Sequence, residues 1–227
     1  MRKLFIVHGW TYTLDAWDAC LDALRARGIE PVMLRVPGLT EPSDNVWTLD
    51  GYVEWLRGKI AGEKDVALAG HSNGGRIALA YAAKYPGHIT KLILIDTAGI
   101  YHKELPLAVK RVLFGTVAKV GRPFARVPLL RKIFHKLIGA RDYGRAPENM
   151  RETMKNMISV DLTPILPSIT AHTLIIWGQN DTTTPLSDGK LMNEKIVGSK
   201  LVIIPNTDHA PHATHAAVVA KEMSNWI

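Results

Sequence analysis

Short apolar runs alternate with longer amphipathic stretches along most of the 227 residues, and this alternation limits the possible folds more than any other feature. Brief runs without alternating polarity read as strands buried on both faces. The amphipathic stretches between them read as crossover helices, so the pattern predicts strand–helix units around a parallel sheet. Strands are expected over 4–7, 31–36, 65–69, 91–95, 173–177 and 200–204. A helix is expected over 14–26, where Leu14, Trp17, Leu21 and Leu24 share a face. A second should run from a Thr48 cap to about Ile60, and a third over 76–85 until Pro86-Gly87 stops it. Further helices are expected near 186–196 and from about His212 to Trp226. Between about Gly99 and Ser168 the alternation lapses into basic helical stretches interrupted by Pro and Gly.

Composition excludes several classes. With 47% apolar and 22% charged residues the chain can bury a sizeable core, which excludes disorder as its main state. No run approaches the ~18 apolar residues of a spanning helix, so stable membrane insertion is not expected. The start, Met1-Arg2-Lys3, has the charge of a secretion signal, but the apolar run after it breaks at His8-Gly9 and reads as a strand. A single cysteine, Cys20, can form neither an internal disulfide nor a cysteine metal site, and fits a cytoplasmic setting.

The residues that carry chemistry lie just past strand ends. Gly70-His71-Ser72-Asn73-Gly74 matches the G-x-S-x-G elbow and sits where a strand meets a helix. Such a turn lifts the serine hydroxyl above the sheet, and the flanking positions must be glycine for the chain to pack. A phosphate loop would need a spacing that 70–76 lacks. A serine hydroxyl needs a base, and the expected chain order is Ser, then acid, then His. Asp181 follows the fifth expected strand and His209 the sixth, so Ser72 is the candidate nucleophile, His209 its base and Asp181 the acid that orients it. Asp96, also at a strand end, is a rival acid. The plainer alternatives are a surface histidine and a turn-forming aspartate. His209, His212 and His215 have an H-x-x-H-x-x-H spacing, but such rings fan over roughly 120° of a helix, so no metal is expected. The backbone N–H groups of Trp10 and Asn73 are the candidate oxyanion donors. His8, Gly9 and His71 are candidate substrate contacts beside them.

His8-Gly9-Trp10, the Ser72 elbow, Trp177-Gly178-x-x-Asp181 and Asp208-His209, in this order, resemble the α/β-hydrolase superfamily over essentially the whole chain. The resemblance implies a core of 1–98 and 169–227, with helices on both faces of the sheet and a helical cap, 99–168, inserted after the fourth strand. The usual first two strands have no room here, so about six strands are expected, all parallel. Relatives of this layout include carboxylesterases, thioesterases, lactonases, carbon–carbon bond hydrolases and low-turnover receptors. Serine at the elbow disfavours the haloalkane dehalogenases and epoxide hydrolases. The opening and the basic cap are also similar to esterases acting on a pimeloyl methyl ester carried by acyl carrier protein. The expected reaction is hydrolysis of small or medium acyl esters through an acyl-enzyme on Ser72, without metal or cofactor.

The net charge of +7 is uneven. Residues 101–145 hold eleven Lys/Arg against two acids, a local +9 that leaves −2 for the rest. A solvated surface, docking of an acidic carrier protein or steering of anionic substrates, and contact with anionic lipid are the three readings. Nucleic acid is not expected, because no recognition motif accompanies the charge. Within the cap, Leu113 shares a face with Leu105, Val109 and Val112, and Phe134 with Leu130, Ile133, Leu137 and Ile138. These faces either line an acyl pocket, with Leu113 and Phe134 as candidate contacts, or pack the cap onto the sheet.

Overall fold

A computed structural model describes residues 2–101 and 146–227. Its strands are β1 (Arg2–Val7), β2 (Ile29–Leu34), β3 (Val66–His71), β4 (Ile89–Ile95), β5 (His172–Gly178) and β6 (Lys200–Ile204). They form one sheet in the order β2-β1-β3-β4-β5-β6, with every pair parallel, as expected. The helices are α1 (Asp18–Arg25), α2 (Leu49–Ile60), α3 (Asn73–Lys84), α4 (Glu148–Ile158), α5 (Leu186–Lys195), α6 (Pro211–Thr214) and α7 (Ala216–Trp226).

Strand side chains alternate between two cores because successive residues point to opposite faces. Phe5, Val7, Leu68, Leu92, Leu94, Ile175 and Trp177 pack with residues of α2, α3 and α4. Leu4, Ile6, Ala67, Ala69, Ile93, Ile95, Leu174 and Ile176 pack with residues of α1 and α7. Both parities are apolar because both faces are covered, which is why the strands read as continuous apolar runs. Cys20 lies in the second core, where burial pushes its thiol up to about 12.

Several boundaries differ from expectation, each for a physical reason. The second strand begins at Ile29 and includes Pro31, tolerated because β2 is an edge strand with β1 as its one neighbour. The third continues through His71, whose register partner is Ile95 of β4. The first helix opens with a 3₁₀ turn, Asp15–Trp17. The last breaks at His215, whose φ of −128° and ψ of 40° separate α6 from α7. Thr48 caps α2 as expected, its Oγ1 accepting the Gly51 N–H at 3.1 Å. Thr48→Ala should therefore cost about 1 kcal/mol, read from urea unfolding.

Between β4 and β5 the described residues include α4, followed by a 3₁₀ turn, Thr163–Ser168. Three side chains hold α4 to the loop after β2. Asn149 Nδ2 donates to Ser43 O at 3.0 Å, Thr153 Oγ1 accepts from Trp47 N at 2.8 Å, and Asn156 Nδ2 donates to Trp47 O at 3.0 Å. Leu113, Phe134 and the basic residues of 102–145 lie outside the described residues. Among the described residues, no helix is long and apolar enough to cross a membrane.

Candidate active site

The chain runs from β1 out to the edge strand β2 and returns on the other side of β1 as β3. Loops leaving β1 and β3 therefore diverge at their C-terminal ends, and such a switch point opens a crevice in parallel sheets. Gly9 and Trp10 follow β1, and Ser72 follows β3.

Ser72 turns the chain from strand to helix in one residue, with φ 51° and ψ −117°. A non-glycine residue held there carries about 1–3 kcal/mol of strain. Three backbone bonds hold it: Ser72 N donates to Ile95 O at 3.0 Å, and Ser72 O accepts from Ala98 N at 3.0 Å and Arg76 N at 3.2 Å. The glycines are required by space. A methyl on Gly74 would overlap the carbonyl oxygens of Val7 and His8, and one on Gly70 would meet Gly74 O at 2.6 Å. The loop after β1 also fits closely, since a methyl on Gly9 would lie 2.9 Å from His71 Nδ1 and 3.1 Å from Ser72 Cβ.

His209, on the loop after β6, lies between hydroxyl and carboxylate. Its Nε2 is 2.9 Å from Ser72 Oγ and its Nδ1 is 2.7 Å from Asp181 Oδ2. The Asp181 side chain is fully buried, whereas His209 is 24% exposed, so only the imidazole end can meet a ligand. Burial alone would raise the Asp181 carboxyl. Hydrogen bonds from His209, Thr184 and Thr183 outweigh it and hold the group below the usual carboxylate range. Thr183 N and Thr184 N donate to Asp181 Oδ1 at 2.7 and 3.1 Å. Asp181 is thus a turn-forming aspartate and the neighbour of His209 at once.

Asp96 has a different setting. It is fully buried, with Oδ1 accepting the Gly178 N–H at 2.8 Å. Burial, and then the negative charge of Asp181, push its carboxyl up to about 9 against the pull of Gly178 N–H. The acid at hydrogen-bond distance from His209 is Asp181.

The backbone N–H groups of Trp10 and Asn73 donate to no other described residue. Asn73 opens α3, where the first amides have no partner inside the helix.

His8 and His71, expected as substrate contacts, are buried behind this site. His8 is fully buried; its Nδ1 donates to Gly9 O at 2.7 Å and its Nε2 accepts from Thr40 Oγ1 at 2.7 Å. With both nitrogens bonded within the chain, it braces the loop after β1. His71 donates from Nε2 to His209 O at 2.7 Å. Burial, then the charges of His212 and His209, hold it well below the ordinary histidine value, so it is neutral. The three spaced histidines diverge. His212 stacks on Trp17 at 4.0 Å, and His215 bonds Thr214 Oγ1 at 3.0 Å.

Thr184 escaped the sequence reading. Its Oγ1 donates to Asp181 Oδ2 at 2.7 Å and lies 3.2 Å from His209 Nδ1. The Asp-x-x-Thr spacing was a visible turn signature, but its contact with His209 needs a loop from another strand. Thr40 was invisible for the same reason.

Residues 4–222 match a family model described as "Alpha/beta hydrolase family". The chain is 25% identical over 210 residues to a proline iminopeptidase of Pestalotiopsis fici, covering 77% of this chain and 72% of that one. It is 24% identical over 241 residues to a pimeloyl-[acyl-carrier protein] methyl ester esterase of Neisseria meningitidis serogroup B, covering 97% and 90%. Among solved structures, a membrane phospholipase A described as a bacterial virulence factor superposes with a TM-score of 0.77 at 24% identity, covering 99% of this chain and 78% of that one.

Proposed function

The chain belongs to the alpha/beta hydrolase family, and from that premise we propose that it is a carboxylic ester hydrolase acting through an acyl-enzyme on Ser72. One observation carries the reading: Ser72 Oγ and Asp181 Oδ2 lie on opposite nitrogens of the same imidazole, at 2.9 and 2.7 Å. His209 takes the hydroxyl proton as Ser72 Oγ attacks the ester carbonyl carbon. The oxyanion that forms accepts from the N–H groups of Trp10 and Asn73, each donor of this kind being worth about 3–4 kcal/mol. His209 then gives its proton to the leaving alcohol, and the acyl group stays on Ser72. Next it takes a proton from water, whose oxygen attacks the acyl carbon, and returns that proton to Ser72 as the acid leaves. Asp181 holds the imidazole with its Nδ1 proton inward. No step needs a metal or a cofactor.

Residues 1–98 and 169–227 are the catalytic core in this reading, and 99–168 form a helical cap over it. Leu113 and Phe134 are the cap positions proposed to meet a small or medium acyl chain. Gly9 lets the oxyanion loop approach Ser72, with His8 bracing it. We propose a cytoplasmic protein, in keeping with the unpaired Cys20. The acyl group being carried by an acidic carrier protein is a second reading, favoured by the +9 on 101–145 and by the esterase relative.

The test is a pre-steady-state assay with p-nitrophenyl esters from acetate to decanoate. One equivalent of p-nitrophenol should appear in a burst before turnover, with an optimum at short or medium chains. Stimulation of methyl-ester cleavage by an acidic carrier, lost at high salt, would support the second reading. Folded protein without burst or turnover on any ester would overturn the ester reading in favour of carbon–carbon cleavage or ligand reception.

A further inference from the structure

We propose that Asp96 is a second acid for His209, a positioning residue that stands behind Asp181 and takes over the orientation of the imidazole when the Asp181 carboxylate is lost. The inference rests on the reading of Ser72, His209 and Asp181 as a triad. Asp96 and Asp181 follow adjacent parallel strands, β4 and β5, and the Asp96 N–H extends their ladder by donating to Ile176 O at 3.0 Å. One Asp96 carboxyl oxygen, one ring nitrogen of His209 and one of His71 all lie within 4.8 Å of one another. Thr184 packs beside both residues, its Oγ1 lying 2.7 Å from Asp181 Oδ2, 3.1 Å from the Asp96 backbone carbonyl oxygen and 3.2 Å from His209 Nδ1.

The Asp96 side chain holds more than its structural duty requires. Its Oδ1 serves Gly178 N–H, a task an asparagine oxygen performs equally well. Its Oδ2 is buried, meets no donor or acceptor in regular hydrogen-bond geometry among the described residues, and its carboxyl interacts with that of Asp181, which raises its pKa further. The φ of 40° at Asp96 suits asparagine as well as aspartate, so backbone shape gives no preference for the acid. What the carboxyl alone supplies is a group that can ionise beside the imidazole.

The groups facing it are Asp181 from the loop after β5, His209 from the loop after β6 and His71 from the end of β3. The second carboxyl keeps its proton chiefly because it is buried, and the ionised Asp181 beside it adds to the cost of a second charge. Removing the Asp181 charge lowers that barrier. Asp96 then gives its proton to solvent base, and its carboxylate accepts the imidazole N–H.

The experiment measures kcat/KM against pH on p-nitrophenyl acetate for the wild type, Asp96→Asn, Asp181→Asn and the double variant, with Ser72→Ala as the blank. Losing the only acid of a triad costs about 10⁴-fold; here Asp181→Asn should lose about 10²-fold. Its remaining activity should climb through alkaline pH, since Asp96 must lose a proton to act. Adding Asp96→Asn should remove the alkaline limb and a further factor of about 10², against a few-fold loss in the native background. Equal activity in Asp181→Asn and the double variant would overturn the proposal and leave the triad intact. Equal losses from Asp96→Asn in both backgrounds would show a merely structural residue. Near-normal turnover in both Asp181→Asn and Ser72→Ala would instead end the triad reading.

Should Asp181→Asn not fold, Asp181→Ser gives the same comparison. Urea unfolding of Asp96→Asn supplies a readout without catalysis. The native chain keeps a proton, up to about 9, that the unfolded chain sheds near 4. Asn should therefore gain stability over the wild type as pH rises between those values. A difference that does not change with pH would mean that Asp96 is already ionised, and would sink the proposal.

Discussion

Ser72→Ala should lower kcat about 10⁴- to 10⁶-fold and leave the fold and its stability almost unchanged. The hydroxyl removed is the atom 2.9 Å from His209 Nε2, and no other described oxygen takes its place. What survives should be weak turnover above the uncatalysed rate, because the oxyanion donors and the binding cleft remain. Alanine keeps the Cβ, so the strain of φ 51° and ψ −117° stays. Ser72→Gly separates the two effects. Glycine adopts that conformation freely, so this variant should be equally inactive yet more stable by about 1 kcal/mol. A catalytic serine that stores strain predicts opposite signs for activity and stability. Full activity in Ser72→Ala would refute the mechanism, and lower stability in Ser72→Gly would refute the strain argument. Steady-state kinetics and urea midpoints on the same preparations decide both.

The largest stability effect should come from Gly74→Ala, with a loss of at least about 3 kcal/mol, together with loss of activity. The added methyl would overlap the backbone oxygens of Val7 and His8, which cannot rotate away as a side chain could. Relief requires α3 to withdraw from β1, and that opens the crevice where Ser72 and Trp10 meet. Gly58→Ala is the matched control. Gly58 is an exposed interior residue of α2 with nothing within 4 Å of the new methyl. There the same substitution should stabilise by about 0.5–1 kcal/mol through helix propensity. Opposite signs for one chemical change would place the cause in tertiary contact. A mild effect at Gly74 would show that the elbow can give way.

Much of this is legible in the amino-acid sequence. Six apolar runs became six parallel strands because burial on both faces leaves a local mark, a run without alternation. The Ser72 elbow was legible because its demands are local: a strand before it, a helix after it, and glycine two residues to each side. The positions of Asp181 and His209 followed from loops that leave the same edge of a parallel sheet. The Thr48 cap was readable from its own side chain and the helix that follows.

Other features belong to contacts between distant parts of the chain. His8 and His71 read as groups beside the site, since sequence gives their neighbours along the chain and not their depth. Thr40 and His209, which hold them, come from the loops after β2 and β6. The last helix breaks at His215 where His212 turns inward onto Trp17, a contact no periodicity reveals. Asp96 and Asp181 were equal in kind by sequence, each an aspartate past a strand end. The sequence by itself determined the order of elements, the elbow and the strand ends that carry the candidate residues, because propensity, turn chemistry and burial act over a few neighbours. Only the tertiary structure decided that Asp181 meets the imidazole while Asp96 lies against Gly178, because the choice depends on where the loop from β6, 137 residues beyond the serine, sets His209 down.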